Sequence, residues 1–98
     1  KDGKPVAIGA CDTNWFSPFD GGLVGEIHEL FVHPSYRGRG IGRTLVEKAI
    51  EYARSRGRRK AGLWVGVKNY GAKEFYRKLG FEETVTLGKW TRMVRRIL

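Results

Sequence analysis

Between residues 37 and 43 the chain runs Arg37-Gly38-Arg39-Gly40-Ile41-Gly42-Arg43, and the segments on either side follow different periodicities. Ahead of it lies an apolar run from Leu23 to His33. After it, Ile41, Leu45, Val46, Ala49, Ile50 and Ala53 form the stripe of an amphipathic helix that ends at Arg56, with Gly57 as its stop. Strand, glycine turn and helix in that order put three glycines at a helix N-terminus. There, backbone N–H groups reach an anion without Cβ obstruction, and the helix start adds roughly half a positive charge. A pyrophosphate suits such a turn. Arg37, Arg39 and Arg43 attract the same anion, each well-formed charge-assisted contact being worth roughly 1.5–3 kcal/mol.

Two phosphate-binding classes are excluded. No Gly-Lys-Ser or Gly-Lys-Thr follows the turn, so it is not a Walker loop, and the spacing is not that of a dinucleotide fold. About 20 residues on, where such a fold places its ribose-binding acid, stand Arg58 and Arg59.

The strand before the turn has an odd parity. By strict alternation Ile27 falls on one face while Leu30 and Val32 fall on the other. One extra residue near Glu29 would bring all three to one side, which predicts a β-bulge there. Upstream, Pro5 to Cys11 is strand-like, and Thr13 to Gly22 reads as a loop carrying Trp15, Phe16 and Phe19. Asp2-Gly3 is a hairpin-turn signal with no strand ahead of it, so the chain is expected to be a piece of something longer. Downstream, Ala61 to Val67 forms a short apolar strand. A helix after Asn69 fits Ala72, Phe75, Tyr76 and Leu79 and is closed by Gly80. Phe81 to Leu87 and Trp90 to Leu98 form a hairpin turning at Gly88-Lys89. The order predicts one α/β domain over residues 1–98, a mixed sheet flanked by helices.

Charge narrows the partners. Residues 1–34 hold two basic and five acidic side chains, residues 35–98 seventeen and five. A half so basic calls for nucleic acid, an anionic surface or a phosphate-rich cofactor. Turn residues interrupt every uncharged stretch well short of a membrane span, and no His, Cys or carboxylate cluster has metal-ligand spacing. The single cysteine, Cys11, cannot make an internal disulfide, which favours a cytoplasmic setting.

A second constellation, Asn69, Ala72, Phe75, Tyr76, Leu79, Gly80 and Phe81, begins 27 residues after Gly42. With the glycine turn it makes the sequence resemble the GNAT superfamily of acetyl-CoA-dependent N-acetyltransferases, from about Glu26 through Phe81. The resemblance implies a GNAT-like acyl-CoA N-acyltransferase fold lacking the first strand and two helices, the part that usually shapes the acceptor pocket. It implies that Arg37, Gly38, Arg39, Gly40, Ile41, Gly42 and Arg43 hold the coenzyme A pyrophosphate. It also implies that the bulged strand, ending Leu30-Phe31-Val32, splays from its neighbour and pairs its backbone with the pantetheine arm. Asn69 becomes a polar contact to the cofactor, and Tyr76 the residue pointing at the thioester sulfur. Strand edges that pair between subunits in this family imply a homodimer.

Direct acetyl transfer requires a deprotonated amine, a polarised carbonyl and help for the departing thiolate. Tyr76 suits the last, because a phenol of pKa about 10 is protonated at neutral pH and can donate to the sulfur. Its alternative role is a core aromatic beside Phe75. Polarisation in the family comes from a backbone N–H that maps to Val32 or its neighbour. For the base, Glu26 matches the position of a family glutamate that acts through water, and Glu29 lies three residues on; the alternative for each is a solvent-facing strand residue. Several members carry another glutamate in the strand after the first motif helix, where this chain has Gly66. His28 and His33 are the remaining titratable candidates.

The acceptor is an amine, whether small molecule, peptide N-terminus or lysine. Asp12, Asp20, Glu26 and Glu29 favour a cationic one. Two other classes compete: a domain that binds coenzyme A without catalysis, and a basic nucleic-acid-binding module using Arg54, Arg56, Arg58, Arg59 and Lys60 with Trp15, Trp64 and Trp90 as stacking platforms. Against the second, the arginine run sits at a helix end, where cations meet the dipole favourably.

Overall fold

A computed structural model describes residues 7–32, 38 and 40–98, the side chains of residues 7, 8, 29, 31 and 32 excepted. The elements are β1 (Ala7–Ser17), β2 (Gly22–Val32), α1 (Ile41–Ser55), β3 (Lys60–Gly66), α2 (Tyr70–Lys78), β4 (Glu82–Leu87) and β5 (Trp90–Arg96). They form one mixed sheet of order β1-β2-β3-β5-β4, in which β2 and β3 are parallel and the other pairs antiparallel. The expected α/β architecture is therefore present. The Asp2-Gly3 turn and His33 lie outside the described residues.

Both helices cover the same face. Val46, Ile50 and Ala53 of α1 and Tyr76 of α2 enter a single core with Ala61, Leu63 and Val65 of β3, Met93 of β5 and Phe81. Alternation explains the choice: odd-numbered β3 residues point to the helices, leaving Gly62, Trp64 and Gly66 for the opposite face. Among the described residues no helix is long and apolar enough to cross a membrane.

One expectation needs correction. Thr13 to Ser17 is not loop but the continuation of β1, with Trp15 opposite Val24, Phe16 opposite Leu23 and Ser17 opposite Gly22. Aromatic side chains fit a pleated surface once a partner strand supplies cross-strand neighbours, and that partner is visible only in the paired structure. The turn shrinks to 18–21 and is tied off by Asp20, which donates its backbone N–H to the Ser17 carbonyl at 3.1 Å and accepts from the Ser17 hydroxyl at 2.6 Å.

The bulge is where parity put it. Ala10 opposes Glu29 while Cys11 opposes Ile27, so His28 is the extra residue. Ile27 and Leu30 consequently share the α1 side, both lining a recess with Leu45, Val46 and Ala49.

Candidate active site

β2 and β3 are partners at only two positions, Gly25 with Ala61 and Glu26 with Gly62. Beyond these they diverge, although β2 continues to Val32 and β3 to Gly66. A bulge bends its strand and raises local twist, so the extra residue at His28 accounts for the parting. The opening is a cleft of about 250 Å³. Ile27, His28 and Leu30 line it from β2, Leu63 to Gly66 from β3, Asn69, Ala72 and Tyr76 from α2, and Trp90 from β5.

Tyr76 and Asn69 thus meet on one wall. The Tyr76 ring is 8% exposed and stands edge-on to Phe75 and Phe81, with centroids at 5.1 and 5.7 Å. Burial pushes its phenol above the ordinary tyrosine range, because the phenolate would lose its hydration. Tyr76 is therefore a core aromatic and a cleft residue at once. Asn69 is the N-cap of α2, its Oδ1 accepting from the Ala72 N–H at 3.2 Å, which leaves the amide nitrogen as donor. Asn69→Ala should cost about 1 kcal/mol of stability, a loss that urea unfolding would register and Asn69→Asp would not reproduce.

The glycine turn meets the start of α1. Gly38 and Gly40 have φ of 83° and 76°, a region that disfavours side chains, and Gly40 is the N-cap. Ile41, Gly42 and Arg43 form the first helical turn, which holds no acidic residue and receives no side-chain cap bond. Among the described residues no side chain caps its N–H groups, and a helix start of this kind is suited to an anion. Arg37 and Arg39 lie outside the described residues, as does the side chain of Glu29. Glu29, Phe31 and Val32 are placed by backbone alone, opposite Ala10, Ile8 and Ala7.

Glu26 is drawn elsewhere. It is 2% exposed on the face opposite the helices, where its Oε2 accepts from Arg92 Nη1 at 2.6 Å. Arg92, fully buried, also donates to Asp20 Oδ2 from Nε at 3.1 Å and from Nη2 at 2.7 Å, and lies 5.4 Å from the Trp64 ring centroid. A Cβ at residue 62 would collide with the guanidinium, which explains Gly62. Burial alone would lower the Arg92 pKa, but hydrogen bonds and charge from Glu26 and Asp20 outweigh it and raise the value. One of the two carboxylates expected as base, Glu26, is thus committed to an ion pair, with only its Oε1 lacking a partner among the described residues. Sequence reasoning missed this cluster entirely. Its signal was an arginine between Thr91 and Met93 in a strand that pairs centrally.

The basic cluster has structural work too. Arg54 donates to the Ile97 carbonyl at 2.7 Å, Arg58 to the Thr13 carbonyl, and Lys60 to the Asp20 carbonyl at 3.3 Å. These contacts tie β1 and the C-terminal segment to the helix end, and they weaken the nucleic-acid reading. Among the described residues no group of three or more His, Cys, Asp or Glu could hold a metal ion.

A parallel strand pair that parts at a bulge, beside a glycine-capped helix, defines an acyl-CoA N-acyltransferase fold of GNAT type. The acetyltransferase (GNAT) family profile matches residues 1–81, and the chain belongs to that family. It is 59% identical over 96 residues to an uncharacterized N-acetyltransferase of Methanocaldococcus jannaschii, covering 98% of this chain and 42% of that protein. The crystal structure of PH1933 from Pyrococcus horikoshii superposes with a TM-score of 0.86 at 41% identity, over 93% of this chain and 57% of that one. The PaiA N-acetyltransferase of Thermoplasma acidophilum, solved in complex with coenzyme A, superposes at 0.70 with 26% identity, over 79% and 55%. The chain therefore spans about half the length of these relatives.

Proposed function

We propose that the protein transfers an acetyl group from acetyl-CoA to an amine by direct attack in a ternary complex. The observation that carries this reading is the splay of β2 from β3 beside Tyr76. After Glu26, β2 has no partner on its β3 side among the described residues, so its backbone groups there suit an extended amide-bearing arm such as pantetheine. The turn from Arg37 to Arg43 suits the pyrophosphate, and Asn69 offers a donor beside the cleft. Bound acetyl-CoA would supply an acyl carbon already activated as a thioester. Leu30, Phe31 and Val32 would supply the backbone contacts, a backbone N–H near Val32 polarising the carbonyl. Tyr76 would hold a proton on its phenolic oxygen for the leaving sulfur, and its raised pKa keeps that proton in place at neutral pH.

The acceptor reading shifts with the structure. Of the four acids in the N-terminal third that favoured a cationic amine, Asp20 and Glu26 are buried and share the single positive charge of Arg92. Half of their negative charge is offset inside the fold, which weakens the preference for a cationic amine, so peptide N-termini, lysines and small amines are all acceptors to assay. The proposed setting is the cytoplasm, in keeping with the single free thiol of Cys11.

Thermal unfolding with acetyl-CoA tests the cofactor half of this reading. At 100-fold over Kd the gain is about 2.7 kcal/mol, which for a domain of this size raises Tm by roughly 10–20 °C. No shift with acetyl-CoA, together with a salt-sensitive shift on adding a short RNA or DNA, would overturn it in favour of the nucleic-acid module.

A further inference from the structure

Glu26 and Glu29 were the expected bases; the carboxylate of Glu26 is occupied, and the side chain of Glu29 lies outside the described residues. The cleft that holds Tyr76 contains another proton acceptor. His28, the extra residue of the bulge, lines that cleft from the β2 side, its side chain exposed, while Tyr76 lines it from α2. Trp15 of β1 stands edge-on to the imidazole, with centroids 4.7 Å apart, and restricts the ring's orientation. Of the cleft-lining side chains, His28 is the one that carries an imidazole, whose unprotonated nitrogen can accept a proton.

We infer that His28 is the catalytic base of the acetyl transfer, an inference that rests on the acetyltransferase reading above. The amine nitrogen attacks the thioester carbonyl carbon and forms the C–N bond. An imidazole nitrogen of His28 takes the proton the amine must lose. The C–S bond breaks with its electron pair on sulfur, and the Tyr76 hydroxyl protonates that sulfur. Base and acid stand on opposite walls of one cleft, which the thioester would enter. The bulge has a chemical consequence as well as a geometric one, since the inserted residue that parts the strands is also the one that brings an imidazole to the opening.

The charged groups on the same sheet face include Glu26 on β2, Asp20 at the β1–β2 turn and Arg92 on β5, already paired with one another, and Lys60 of β3, which donates to the Asp20 carbonyl at 3.3 Å; the side chain of Glu29 lies outside the described residues. Asp12 of β1 is the register partner of Glu26, and its Oδ1 accepts from the Asn14 N–H at 2.8 Å. Tyr76 is the titratable group facing from α2. Arg92 and Tyr76 are both held in their protonated forms near neutrality, so neither gains or loses a proton as His28 titrates.

The test is the pH profile of kcat/KM in the full-length protein, with a panel of a peptide N-terminus, a lysine peptide and a small diamine as acceptors. Acetyl-CoA-induced thermal shifts and NMR titration of labelled histidine run alongside. Absence of transfer to every acceptor by the wild type would sink the acetyltransferase reading itself, and His28's role with it. Given transfer, the expected result is an acidic limb whose midpoint coincides with the one the NMR titration gives for the His28 ring. His28→Gln should remove that limb and lower kcat roughly 10²-fold, with the acetyl-CoA thermal shift unchanged. An acidic limb that survives in His28→Gln, or one that vanishes in Glu26→Gln but not in His28→Gln, would overturn the inference while leaving the acetyltransferase reading intact. So would a His28 resonance whose midpoint differs from that of the limb.

Discussion

Tyr76→Phe should lower kcat about 10²-fold while leaving the acetyl-CoA thermal shift within error of the wild type. The substitution keeps the ring that packs against Phe75 and Phe81 and removes only the oxygen, so the core role and the proton-donor role separate cleanly. The effect should not exceed about 10⁴-fold, because a thiol of pKa near 8.5 is already a tolerable leaving group. Burial raises the Tyr76 pKa, so the hydroxyl stays protonated through the ordinary tyrosine value of about 10. The wild-type rate should therefore show no alkaline loss from this residue below that value. Steady-state kinetics against pH reads both effects. Turnover equal to the wild type in Tyr76→Phe would leave the residue as packing only, and would favour a domain that binds coenzyme A without catalysis.

Arg92→Met should destabilise the fold by about 3–5 kcal/mol, the usual cost of removing one partner from a buried ion pair. In a domain of this size that is a fall in Tm of at least about 12 °C. Two carboxylates, Asp20 and Glu26, would be left in the interior without their cation, and the two are 3% and 2% exposed at their side chains. The triple variant Arg92→Met, Glu26→Gln, Asp20→Asn should recover most of the loss, since it removes the uncompensated charge. Calorimetry on the two variants decides the matter. A single variant as stable as the wild type would mean that the cluster contributes nothing to folding.

The parts of the fold that were legible in advance are those written in local periodicity. The stripe from Ile41 to Ala53 became α1, and the parity break at Ile27 and Leu30 became a bulge centred on His28. Gly57, Gly80 and Gly88 became left-handed stops and turns at their expected places. Thr13 to Ser17 was misread because Trp15 and Phe16 are adjacent, which breaks the alternation of a strand, and a Pro-Phe-Asp-Gly-Gly turn follows, so the local signal is that of a loop. Pairing with Gly22 to Val24 supplied the missing energy.

The site divides in the same way. Glycines that adopt positive φ, an asparagine that caps a helix and a tyrosine on the apolar stripe of that helix are constraints a short segment imposes on itself, so their local conformation was legible in the sequence alone. Which titratable group stands free in the cleft depends on a pairing across 66 positions, Glu26 with Arg92, and no local pattern encodes it. Only the tertiary structure could show that this glutamate is buried in an ion pair while the neighbouring His28 is left open to the cleft. Burial and ion pairing are properties of the assembled sheet, and they, not residue type, decide which side chain is available for chemistry.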